Sequence, residues 1–152
     1  MPMTEPTGRL LAIAAGGIAG AEARYGLTRA LPHRTGQFPW STLLINLTGS
    51  LLIGVLMAWL GRQRTPHPLL RPYLGVGVLG GYTTYSAFAL DVQQLLHAHR
   101  PAVALGYLAA TVLGCAAAVW LAAALVAGRP MPDRLPPAPE TDGLPALEGE
   151  PG

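Results

Sequence analysis

"GVGVLGGYTTYSAFALD", residues Gly75 to Asp91, decides how the chain is read. Its apolar residues suit a membrane-buried helix, yet it carries paired glycines, paired threonines, and then Tyr85, Ser86 and Phe88. Each glycine weakens a helix by about 0.8–1.0 kcal/mol relative to alanine. The stretch therefore predicts a helix that breaks at membrane depth, at Gly80-Gly81 followed by Thr83-Thr84. Non-helical backbone survives at that depth only where protein buries it or where it lines a water-filled or ion-occupied cavity. A break also presents two half-helix ends, which are ion sites. Freed carbonyls suit a hard cation such as Na⁺, and freed hydroxyls and amides suit an anion. Tyr85 and Phe88, three residues apart, fall on one face of the second half-helix. Ring edges carry partial positive charge, so such a pair attracts an anion without trapping it. Core packing is the alternative for these two rings, and the adjacent break favours the functional reading.

The rest of the chain agrees with a membrane setting. Of 152 residues, 51% are hydrophobic and 12% charged, whereas soluble domains carry about 25% charged residues. Abundant glycine and alanine allow close helix contacts in lipid. All ten basic residues are arginine, the net charge is +2, and no aromatic-basic pattern points to nucleic acid. A single cysteine, Cys115, excludes an intramolecular disulfide and a zinc cluster. The first apolar run lacks a small-residue cleavage site and continues into Arg24-Tyr25, so no cleaved signal is expected.

A hydrocarbon core about 30 Å thick takes roughly 20 apolar residues as helix. Four stretches qualify: residues 10–31, 42–60, the interrupted 69–96, and 101–127. Short loops with turn chemistry connect them: "PHRTGQFP", "GRQRTPHP" and "HAHRP". The expected organisation is a four-helix transmembrane domain over residues 1–128 and a disordered, Pro- and acid-rich tail over 129–152. Four spans put both termini on one side. That side holds Arg9, Arg62, Arg64, Arg71, Arg129 and Arg134, against Arg29, Arg34 and Arg100 on the other. The bias leans towards cytoplasmic termini by a small margin.

Polar residues recur at helical spacing within the spans. Gly16, Gly20 and Arg24 share one face of the first. They read either as a small-residue packing face with a snorkelling arginine, or as an arginine facing a partner or a polar vestibule. An arginine at mid-span costs about 2.5–3.5 kcal/mol on insertion scales, so its placement matters. Thr42, Asn46 and Ser50 align on the second span, where Asn46 makes either an interhelical hydrogen bond or a donor to a conduction path. Tyr107, Thr111 and Cys115 align on the fourth. There the threonine either bonds the carbonyl one turn back or belongs to a polar track.

"GGIAGAEARY", "STLLINLTGSLLIG" and "GVLGGYTTYSAFALD", in this order and spacing, resemble the three signatures of the Fluc (CrcB-type) fluoride channels. The resemblance covers residues 10 to 127. It implies an all-α membrane fold with four transmembrane helices per subunit, the third broken mid-membrane, assembled as an antiparallel, dual-topology homodimer. It implies passive, fluoride-selective export through two pores, conferring fluoride resistance, in the bacterial cytoplasmic (inner) membrane. It further implies a structural Na⁺ at the dimer centre, held by the backbone carbonyls of Gly80 and Thr83. The pore would use Asn46, Tyr85, Ser86, Phe88, Tyr107, Thr111 and Cys115, with Arg24 at an interface or vestibule. The chain departs from the family pattern at Tyr85, where Phe is usual, and at Cys115, where a hydroxyl residue is expected. The implied partners are fluoride, a second copy of the chain and membrane lipid.

Two other readings compete. A small multidrug-type, proton-coupled exporter needs a buried carboxylate, and the spans offer only Glu22 and Asp91, the latter expected near the aqueous end of its half-helix. A non-transporting scaffold explains the small-residue faces but not the break, the polar tracks and the aromatic pair together. An enzyme is disfavoured because no Ser/His/Asp or metal-ligand set lies within a span. His33, His67, His97 and His99 fall in or beside loops, where solvated surface is expected.

Overall fold

The computed structural model describes residues 5–128. The tail expected over 129–152 lies outside the described residues. Among these residues the secondary structure is entirely helical: α1 (Glu5–Ala30), α2 (Trp40–Leu60), a π-helix (Arg71–Leu79), the single turn α3 (Gly80–Tyr82), α4 (Tyr85–His97) and α5 (Pro101–Ala127). α5 has proline in its first turn, where the missing N–H has no helical acceptor to lose. The loop before α2 turns through Gly36 at φ +82°, a left-handed conformation that glycine adopts without strain.

The third stretch departs from expectation in where it breaks. Gly80 and Gly81 are helical, with Gly80 at φ −65° and ψ −37°. The extended residues are Thr83 (φ −74°, ψ 158°) and Thr84 (φ −148°, ψ 122°). Upstream, the chain is wound wider than an α-helix from Arg71 to Leu79.

The helices pair in two ways. α1 lies along the π-helix and α3 in the same direction, with Gly16 against Tyr73 and Gly77, and Gly20 against Val78 and Tyr82. A Cβ on Gly16 or Gly20 would overlap the carbonyl oxygen of Tyr73 or Val78, and one on Gly81 would overlap that of Gly17. α2 lies along α5, also in the same direction. Leu47 fills the notch at Gly114, and Gly54 meets Ala122 and the Val119 backbone. At the far end Arg62 donates to the Val126 carbonyl. α4 joins this second pair through a core of Leu43, Leu95, Ala104 and Tyr107, flanked by Phe38 and Phe88.

Much of the outer surface is apolar. On α5 alone Leu113 is 69% and Trp120 72% exposed, beside Leu105 and Leu125. Contiguous apolar surface on this scale marks a membrane or partner contact. α2 and α5, the latter over Pro101–Val126, are long and apolar enough to cross a membrane, with mean hydropathies of 2.0 and 2.2. α1 has the length, but carries Arg9, Glu22, Arg24 and Arg29. The expected third span is divided among three helical pieces.

Candidate functional site

The break is held open by one side chain. Asn46 Nδ2 donates to the Thr84 carbonyl at 3.0 Å, and Asn46 Oδ1 accepts from the Thr84 N–H at 2.9 Å. In an unbroken helix that N–H would serve the Gly80 carbonyl, four residues back. Asn46 and Thr84 are both buried, so without each other they would leave unpaired amide groups at about 1–3 kcal/mol apiece. Thr84 then restarts the helix as its N-cap, its hydroxyl accepting from Ala87 N–H at 3.2 Å.

The other side of the break meets α1. Arg24 Nη1 donates to the Thr83 carbonyl at 3.4 Å, continuing the face that begins at Gly16 and Gly20. The glycines form a packing face, and the half-buried arginine ends on the freed backbone. Gly80 is different. Nothing lies within 4 Å of where its Cβ would stand.

A groove of about 460 Å³ runs past these groups. Of the residues expected to form a pore or cation site, Asn46, Gly80, Thr83, Tyr85, Phe88, Thr111 and Cys115 line it together. Two are not on its wall, nor is Arg24. Ser86 is exposed and sits 3.3 Å from the Thr84 hydroxyl. Arg24 lies behind Thr83. Tyr107 is fully buried behind Phe88, with ring centroids 5.4 Å apart. Tyr85 and Phe88 do share a face, at 5.9 Å, and Tyr85 is 81% exposed. Ser50 and Thr84 also line the groove. Its wall therefore presents an amide, hydroxyls, a thiol and aromatic rings, with no charged side chain among the lining residues.

The hydroxyls are already engaged in part. Thr111 donates to the Tyr107 carbonyl one turn back at 2.8 Å, and Thr83 does the same to Leu79 at 2.9 Å. Each must rotate to donate into the groove. Asn46 uses one of its two N–H groups on Thr84, so the second is not spent on the clamp.

Residues 11–123 match the family model described as "CrcB-like protein, Camphor Resistance (CrcB)". The chain belongs to the CrcB family. It is 51% identical over 118 residues to a protein of Thermobifida fusca named fluoride-specific ion channel FluC 2, covering 78% of this chain and 87% of that one. It is 46% identical to a FluC 2 of Nocardia farcinica (74% and 80% covered) and to a FluC 1 of Streptomyces coelicolor (73% and 72% covered).

This CrcB chain also holds a cluster that the sequence reading passed over. Asp91 is buried: its Oδ2 accepts the Tyr107 hydroxyl at 3.3 Å and its Oδ1 faces His33 Nε2 at 3.4 Å. His33 is 21% exposed and its Nδ1 is 3.2 Å from Ser41 Oγ, so it is not a solvated surface histidine. His33 and Asp91 lie 58 residues apart, and no local spacing signals their meeting.

Proposed function

We propose that this CrcB-family protein is a fluoride-specific ion channel that lets fluoride leave the cytoplasm passively, down its electrochemical gradient. The observation that carries the reading is the neutral groove at the Thr83-Thr84 break, walled by Asn46, Thr111 and the ring of Phe88. Fluoride is small and strongly hydrated, so a narrow path must replace its water with donors of similar strength. A wall without fixed positive charge offers several modest sites in series, which conduction requires because one tight site would hold the ion. Phe88, and Tyr85 beside it, offer positive ring edges. Chloride, being larger, is rejected by width and by dehydration mismatch. The names of the relatives support fluoride as the ion.

The finer reading is that α1, α2, the divided third segment and α5 each cross the bacterial inner membrane, and that two copies assemble antiparallel. The groove is open along one side of a single chain. The exposed Tyr85, Val76 and Gly80 beside it favour closure by a second copy. The small arginine bias is compatible with insertion both ways. The donor chemistry of the break fits a hard cation: the Gly80 carbonyl has lost its helical N–H to Asn46, and the Thr83 carbonyl has spare acceptor capacity beside Arg24. Gly80 and Thr83 would hold Na⁺, with matching carbonyls from a second copy completing its shell. There the ion supplies positive field and ties the broken segments together. Arg24 adds positive charge at the same carbonyl and fixes the break against α1.

The buried Asp91 bears on the exporter alternative, which needs such a carboxylate. Its two oxygens are turned to Tyr107 and His33, and it is not on the groove wall; the channel reading is preferred. Fluoride efflux from sodium-containing liposomes, with a chloride control, tests it. Wild type is expected to release fluoride rapidly and chloride little, and Phe88→Ile to slow fluoride release at least tenfold, about 1.4 kcal/mol in barrier height. Folded wild-type protein that releases no fluoride would overturn the reading.

A further inference from the structure

Asp91 lies between a water-accessible group and the buried end of the polar track. On the inner side it holds the Tyr107 hydroxyl; on the outer side it meets His33, from the loop between α1 and α2. His33 in turn lines a second cavity of about 410 Å³ with Pro32, Gln37, Phe38 and Trp40. The imidazole is 21% exposed there. Ser41, fully buried, is the partner of Nδ1. With the serine donating to Nδ1, the neutral ring carries its proton on Nε2 and donates to Asp91. One imidazole thus links a hydroxyl on α2 to a carboxylate on α4.

We propose that His33 is a proton-responsive positioning residue for fluoride passage, acting through Asp91 on the Tyr107 hydroxyl. The inference rests on the channel reading above. Protonating His33 turns the Asp91 contact into an ion pair, which draws the carboxylate towards the loop and loosens its hold on Tyr107. Tyr107 packs against Phe88, a groove-lining ring, so its release shifts that ring, and the carboxylate's repulsion of a passing anion is offset. Both effects raise fluoride current as pH falls.

The other charged and titratable groups near His33 do not duplicate this path. Arg34 is in the same loop, where its backbone N–H donates to Gln37 Oε1 at 3.0 Å. Arg100 donates to the Gly36 carbonyl at 2.7 Å. Arg29, at the end of α1, lies over the Tyr25 ring. α2 contributes Ser41, α4 Asp91 and α5 Tyr107. His97 and His99 are exposed at the far end of α4.

The test is fluoride current across planar bilayers, with equal pH on both sides, because neutral HF carries no current. Wild type is expected to gain about threefold in current between about pH 8 and about pH 6. His33→Gln, which keeps a donor and an acceptor but cannot titrate, should stay at the wild-type high-pH level throughout. His97→Gln and His99→Gln should keep the rise. A His33→Gln profile that superimposes on a rising wild-type profile, or a wild-type current that is flat with pH, would overturn the inference while leaving the channel intact. Absence of any wild-type fluoride current would instead remove the channel reading itself.

Discussion

Two helix contacts in this molecule use small residues to opposite ends. Where α1 meets the π-helix and α3, glycine faces backbone: Gly16, Gly20, Gly77 and Gly81 each stand where a Cβ would strike a main-chain atom. Where α2 meets α5, glycine faces side chains: Gly114 receives Leu47, and Gly54 receives Ala122 together with some Val119 backbone. The first contact has nothing soft to yield. At Gly114 the second has a leucine rotamer that can move. Close packing of backbone belongs beside the break, where freed carbonyls must keep their positions, and ordinary interdigitation suffices elsewhere.

Gly81→Ala is the strongest way to break this comparison. Its methyl would enter the Gly17 carbonyl, and neither backbone can retreat, so a loss of about 3 kcal/mol is expected. Size-exclusion yield and an unfolding midpoint in detergent would read it. Gly17→Ala, on the facing helix and with nothing within 4 Å of where its Cβ would stand, should leave both unchanged. Next comes Asn46→Leu, which keeps volume but deserts the Thr84 N–H and carbonyl. The expected cost is about 1–3 kcal/mol for each of the two buried groups, with fluoride efflux falling further than stability because the break changes shape. Gly114→Ala should have the smallest effect. The nearest atom is the Leu47 Cδ2 methyl at 2.7 Å, which a rotamer change removes, and a midpoint change equivalent to less than about 1 kcal/mol is expected. If Gly114→Ala proved as damaging as Gly81→Ala, the distinction between the two contacts would collapse.

What could be read in advance follows the reach of each interaction. Gly16, Gly20 and Arg24 lie four apart and do share a face, because helical spacing is local information. Tyr85 and Phe88 were legible for the same reason. The position of the break was not. Gly80-Gly81 looked weakest by propensity, yet they are helical, and Gly81 is small because α1 passes against it. The extended residues are Thr83 and Thr84, pinned by Asn46 from 38 residues away. Propensity counts only the segment's own cost, so it missed a partner that accepts the released backbone groups. The His33–Asp91 contact was hidden in the same manner, by a loop whose path no periodicity describes. The placement of Tyr107 behind Phe88 likewise depends on how α4 leans on α5.

The Asn46 clamp has a further consequence. A carboxamide is a peptide group without a chain, and here it exchanges N–H and C=O with one extended residue as two paired strands do at a hydrogen-bonded position. Asn46 thus provides a single rung of β-ladder inside a helical protein. Only a side chain that imitates a peptide unit at this length can fill that role: aspartate lacks the donor, leucine lacks both groups, and glutamine sets them one carbon too far.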